Sequence, residues 1–142
     1  MSVLYKKILV PLDGSEHSKK ACRHATALAV ACGSEIILVH CYDGPANLIG
    51  GEAREDVVAA AQAESRAMLA SCGEECKGFG VSHKVVVQSG DAARVIIRVA
   101  NEEKCEQIVM GTRGLSELTS LVLGSVSHDV LEYTDVPVLL VK

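Results

Sequence analysis

The succession of apolar runs along this chain predicts a doubly wound α/β fold, a five-stranded parallel sheet with four helices on its two faces. Three observations lead there. Five short β-branched runs recur in the sequence, they alternate with stretches of helical periodicity in the order βαβαβαβαβ, and they are mostly continuously apolar. Strands buried on both faces have that continuous pattern, whereas strands with one wet face alternate. Parallel neighbours require right-handed crossovers, so the helices cover both faces of the sheet. A length of 142 residues suits one domain spanning 1–142.

The elements follow in order. Lys7 to Val10 is the first strand, and Pro11 beyond it withdraws a ladder donor, marking where that strand stops pairing. Ser15 is an N-cap residue, after which Ala21, Ala25, Leu28 and Cys32 recur at helical spacing until Gly33 supplies the stop. Ile36 to His40 is the second strand. From about Glu52 to Lys77 an Ala-rich helix carries Val57, Ala61 and Met68 on one side. Lys84 to Val87 follows as a strand, and Asp91 caps a helix whose apolar face is Val95, Ile96, Val99 and Ala100. Gln107 to Met110 is the fourth strand, Ser125 caps a fourth helix ending near Tyr133, and Val136 to Val141 closes the sheet. Two stretches are long and irregular, Asp43 to Gly51 and Thr112 to Leu123, and loops of that length are uncommon unless functional. The first forms either a flap or a loose surface excursion.

Composition narrows the function classes. Hydrophobic residues make up 49%, with a mean hydropathy of +0.25, so a core can form without metal or disulfide staples and disorder is excluded. A net charge of −4 disfavours nucleic acid as a partner. No apolar run approaches the roughly 18 residues of a membrane span, and Met1 to Lys7 lacks a signal pattern, so no membrane partner and a cytoplasmic location are expected. The six cysteines, Cys22, Cys32, Cys41, Cys72, Cys76 and Cys105, are spread over strands and helices, which suits reduced, partly buried thiols better than a disulfide framework. Cys72 and Cys76 share a helix face, but no second ligand pair accompanies them, which argues against zinc.

In open α/β sheets ligands bind beyond the carboxyl ends of strands, where strand order reverses. Three segments occupy such ends: Asp13-Gly14-Ser15, His40-Cys41-Tyr42-Asp43 and Gly111-Thr112-Arg113-Gly114. The last leads to Gly124-Ser125-Val126 at a helix start, where glycines permit close backbone approach and the Ser125 and Val126 amides favour an anion such as phosphate. Alternatively, the glycines only turn the chain and Gly124 only precedes a capped helix. No Walker sequence is present, and the loop offers no lysine.

Gly111-x-x-Gly114, nine residues, then Gly124-Ser125 matches the G-2x-G-9x-G-[S/T] nucleotide motif of universal stress proteins in every specified position. Lys7 to Ser15 resembles the opening strand and turn of that family, Pro11 included, and Val136 to Val141 resembles its closing strand; the similarity spans the chain. The resemblance implies a Rossmann-like sheet of order 3-2-1-4-5 with an ATP cleft between the ends of strands one and four. It implies that Asp13 meets the ribose or the adenine edge, that the backbone around Cys41 contacts adenine, and that Met110 and Gly111 line the nucleoside pocket. Gly114, Gly124, Ser125 and Val126 then hold the phosphates, accompanied by Mg²⁺ or Mn²⁺. It also implies a homodimer through the strand Val136 to Val141, an apolar edge that is a liability when unpaired.

No positioned base or acceptor nucleophile stands out, and Ser125 reads as a phosphate ligand and cap rather than a nucleophile, so no catalytic residue is assigned. The expected function is an ATP-binding stress-response regulator, with at most slow or partner-dependent hydrolysis and an unidentified regulatory protein partner. The alternative is a dimeric interaction protein of the same fold that binds no nucleotide. A flavin carrier is disfavoured by an aromatic content of 3%, and a phosphoacceptor receiver by strand three running into Gln88-Ser89-Gly90 rather than an Asp.

Overall fold

A computed structural model of the chain describes residues 5–45, 49–113 and 123–142. Its elements alternate as β1 (Lys7–Pro11), α1 (Glu16–Cys32), β2 (Glu35–Tyr42), α2 (Gly51–Gly78), β3 (His83–Ser89), α3 (Ala92–Glu102), β4 (Gln107–Gly111), α4 (Ser125–Tyr133) and β5 (Val138–Val141). All strand pairs are parallel, in the order β3-β2-β1-β4-β5. Strand order reverses at β1, so β1 and β4 are neighbours whose following helices leave toward opposite faces.

Alternate residues of each central strand enter different cores, as a sheet buried on both sides requires. Ile8, Val10, Ile36 and Leu38 pack with Ala21, Cys22 and Ala25 of α1 and with Leu69, Cys72 and Cys76 of α2. Leu9, Ile37, Val39 and Ile108 pack on the other face with Val95, Ile96 and Val99 of α3 and with Val130 of α4. Burying each such side chain stabilises the fold by about 1.5–3 kcal/mol, so the two layers dominate its energetics.

The expected caps form. Ser15 Oγ accepts the Ser18 amide at 3.1 Å to start α1, Gly33 ends it in the left-handed region at φ 70°, and Asp91 Oδ2 accepts the Arg94 amide at 3.1 Å to start α3. Three expectations need correction. The buried residues of α2 are Ser65, Leu69, Cys72, Gly73 and Cys76, while Val57 is exposed, because only the C-terminal half of this 28-residue helix lies over the sheet. The cap of α4 is Gly124, extended at φ −73° and ψ 166°, and Ser125 is the first helical residue. Most consequentially, Cys22 and Cys72 form a disulfide between α1 and α2, with Cα atoms 6.4 Å apart. Crossovers that stack α1 beside α2 on one face bring together cysteines separated by 50 positions, a proximity that spacing along the chain does not reveal.

Candidate functional site

The ladder between β1 and β4 is short, and its shortness opens a cleft. β1 pairs with β2 from Lys7 to Pro11, and the Leu12 amide continues that side by donating to the Val39 carbonyl at 2.8 Å. On the other side, register with β4 covers only Ile8 and Leu9. Amides along a strand point alternately to its two neighbours. Lys7 turns its carbonyl to β4, where it accepts the Glu106 amide, so residue 11 faces the same way. Proline there supplies no N–H, and the strands part.

The turn after β1 is built by its own side chains. Asp13 Oδ1 accepts the Ser15 amide at 2.9 Å, Gly14 adopts φ 86°, and Ser18 Oγ donates to the Ser15 carbonyl at 2.9 Å. Asp13 is thus a turn residue whose carboxylate is held half-buried at the cleft wall. On the β2 side, His40 Nδ1 donates to the Leu12 carbonyl at 2.7 Å and fastens the two strand ends together. That bond gives His40 a structural role. Cys41 donates from Sγ to the Gly90 carbonyl at 2.9 Å. Burial, reinforced by Asp43 and Asp91 and opposed by Arg98, raises the Cys41 thiol above its ordinary pKa and keeps it neutral.

Beyond β4, Gly111 abuts α1 and Thr112 Oγ1 lies 3.3 Å from His17 Nδ1. The Thr112 carbonyl accepts the Gly124 amide at 2.7 Å, and Ser127 Oγ donates to the Gly111 carbonyl at 2.8 Å. These bonds hold the start of α4 against the end of β4. No side chain at Gly124 caps that start.

The result is a cleft of about 120 Å³ between the ends of β1, β2 and β4 and the starts of α3 and α4. Of the sequence-selected residues, Asp13, Cys41, Met110, Gly111, Gly124 and Val126 line it. Ser125 opens α4 but is not part of the lining, and Gly114 lies outside the described residues. The sequence reading missed the α3 wall of Ala92 and Ile96, which look only like a capped helix's apolar face, and Ser127, whose signal is a polar residue on the buried side of α4. Among the described residues, the set of clustered metal-type ligands is His128, Asp129 and Glu132, exposed on α4 and absent from the cleft lining. No helix among the described residues is long and apolar enough to cross a membrane.

A five-stranded parallel 3-2-1-4-5 sheet with a cleft at its reversal point defines a Rossmann-like α/β protein, whose class places ligand clefts at such a topological switch. The sequence profile of the Universal stress protein family matches residues 4–142, and the chain belongs to that family. It is 35% identical over 140 residues to the "Universal stress protein in QAH/OAS sulfhydrylase 3'region" of Thermus aquaticus, covering 98% of this chain and all of that one. It is similar to Universal stress protein MJ0577 of Methanocaldococcus jannaschii, at 30% identity with 100% and 98% of the two chains covered. The solved structure of MJ0577 superposes with a TM-score of 0.89 over 99% of this chain and 97% of that one. A universal stress protein solved in complex with cAMP, 24% identical with a TM-score of 0.75 and 97% of each chain covered, shares the fold.

Proposed function

We propose that this chain is an ATP-binding regulatory protein of the stress response, holding an adenine nucleotide between the ends of β1 and β4, with at most slow or partner-dependent hydrolysis. One observation carries the reading. The cleft that Pro11 opens is lined at once by Asp13, Cys41 and two glycines of the G-2x-G-9x-G-S sequence, Gly111 and Gly124, and the start of α4, whose N-cap Gly124 offers no side-chain cap, lies at its edge. Oriented amides at a helix N-terminus favour a phosphate group. The cAMP held by a protein of the same fold makes adenine nucleotides the class to test first.

In this reading Asp13 meets the ribose or the adenine edge, the backbone at Cys41 meets adenine, and Met110 and Gly111 support the nucleoside. Gly114, Gly124, Ser125 and Val126 hold the phosphates. Mg²⁺ or Mn²⁺ would neutralise triphosphate charge; Asp13, the one carboxylate in the described lining, is the side chain that could help hold it. The neutral Cys41 thiol suits a contact with an uncharged base. Residues 1–142 act as one nucleotide-binding unit, cytoplasmic and without nucleic-acid or membrane partners, and regulation passes through a protein partner that reads the occupied cleft.

Titration calorimetry of the purified chain with ATP and Mg²⁺, then with ADP, AMP and GTP, tests this. Saturable one-site binding of an adenine nucleotide is expected. Absence of binding by the folded protein overturns the reading.

The second reading, a dimeric interaction protein without nucleotide, draws on Leu131 and Tyr133 at the end of α4, which are 49% and 70% exposed, and on the edge strand β5 that follows them in the chain. A dimer that binds no nucleotide would establish it.

A further inference from the structure

A second cavity, which the nucleotide reading leaves unused, lies between α1 and α2. It measures about 330 Å³ and is lined by both sulfur-bearing residues of the disulfide, Cys22 and Cys72, together with Lys19, Arg23, Met68 and Glu75. Both cysteines are mostly covered, Cys22 at 2% exposure and Cys72 at 6%, and this groove, which both line, gives reagents a route to the bond. Two exposed cations against one carboxylate give its walls an excess of positive charge. Lys19 also reaches Glu16 at 3.3 Å, an exposed pair that water and salt screen.

A static staple explains this bond poorly. Two full cores already hold the sheet, and a domain of this size is stable without cross-links. Internal shuffling is also blocked. Cys76 stands one turn after Cys72, but its Sγ is 3.9 Å from Thr26 Oγ1, and burial raises its pKa so that the thiol stays protonated. Exchange requires a thiolate with access to a disulfide sulfur. Cys76 is therefore a poor attacking group, none of the other free cysteines, Cys32, Cys41 and Cys105, lines the groove, and the attacking thiolate comes from outside.

We propose that the groove between α1 and α2 is a thiol–disulfide exchange site at which a small anionic thiol, steered by Lys19 and Arg23, reversibly reduces Cys22–Cys72. The incoming thiolate attacks Sγ of Cys72, the more exposed of the two residues. A new S–S bond forms there, the Cys22–Cys72 bond breaks, and Cys22 leaves as a thiolate that takes a proton from water. A second thiolate then attacks the sulfur of the bound small thiol, releasing the small disulfide and the Cys72 thiolate, which is protonated in turn. The protein disulfide gains two electrons, two small thiols lose them, and the reverse sequence restores the bond. The site does not depend on nucleotide, although Leu12 and Ser18 line both this groove and the β1–β4 cleft.

Glutathione, whose net charge at neutral pH is negative, is the probe. The native chain is equilibrated in glutathione buffers of graded redox ratio, quenched by alkylation and analysed by peptide mass spectrometry. Cys22 and Cys72 are expected to become alkylated together as the buffer becomes reducing, with a trapped glutathione adduct on Cys72. The double variant Lys19→Glu, Arg23→Glu alters only exposed side chains and is checked for native circular dichroism. It is expected to react about tenfold more slowly with glutathione and within about twofold of the parent with uncharged 2-mercaptoethanol. Free Cys22 and Cys72 at every ratio, reduction only after the chain unfolds, an adduct confined to Cys22, or equal slowing by both reagents would each overturn the proposal.

Discussion

Gly111 and His17 touch where β4 meets α1: a β-carbon on Gly111 would stand 2.7 Å from His17 Cβ and 2.9 Å from the His17 carbonyl carbon. The second contact is backbone, so no rotamer change relieves it. Gly111 is thus a packing residue, and the close approach it permits is to a helix within the protein. Replacing it by alanine has to push α1 away from β4. The expected cost for Gly111→Ala is about 1–3 kcal/mol of folding stability, the range of overpacking. Urea denaturation checks it, and an unchanged midpoint would show that the two elements separate freely.

Gly124 has a different reason to be glycine. Its φ of −73° and ψ of 166° are open to any residue, so the backbone tolerates a side chain there. Gly124→Val should therefore fold while placing a branched side chain at the cleft edge, in the proposed phosphate position. The expected result is adenine-nucleotide affinity lowered at least tenfold, about 1.4 kcal/mol, by calorimetry. Intact folding with parental affinity would move the phosphates elsewhere.

These two glycines show how far the site is legible in sequence. Spacing put Gly111 and Gly124 at the ends of a strand and a helix, and both line the cleft. It could not tell that one is fixed by a neighbouring helix, because that depends on the distance between α1 and β4. The strands were legible because burial on both faces makes them continuously apolar, and Ser15 and Asp91 because capping is local chemistry. The α2 face was misread around Val57 because an Ala-rich helix has little contrast between its sides. The Cys22–Cys72 bond was invisible for the same reason as the Gly111 contact: both join elements distant in sequence.

Buried thiols give the fold a pH dependence at the alkaline end. Cys105 is pushed up to about 11 from an ordinary 9.0, chiefly by burial, with Lys7 opposing and Glu103 and Glu35 assisting. The native state therefore keeps its proton where the unfolded chain has lost it. Stability from this group is complete below pH 9.0 and is lost as pH rises through about 11. After allowance for solvent screening the loss is about 1–2 kcal/mol. Cys41 and Cys76, both raised chiefly by burial, act in the same direction. Denaturation near pH 8 and near pH 10.5 should show the decline, and Cys105→Ala should make it smaller, since its constant packing penalty cancels between the two pH values. Equal declines in parent and variant would exclude Cys105 as the source.

The end of the sheet carries the last expectation. β5 is an edge strand of four residues, paired on one side with β4, and Leu139 within it is 37% exposed. Unpaired backbone groups beside an apolar side chain form a template for another strand. In the homodimer through this strand that the family resemblance implies, Leu139 would lie in the interface and its burial would help hold the pair together. Lysine at an edge opposes such pairing, since its charge would have to be desolvated. Leu139→Lys should raise the dimer dissociation constant at least tenfold, about 1.4 kcal/mol, while a side chain already partly exposed leaves monomer folding nearly unchanged. Light scattering across low micromolar concentrations reads this directly. A parent chain that is monomeric throughout removes the dimer, and a variant that dimerises as well as the parent moves the interface away from β5.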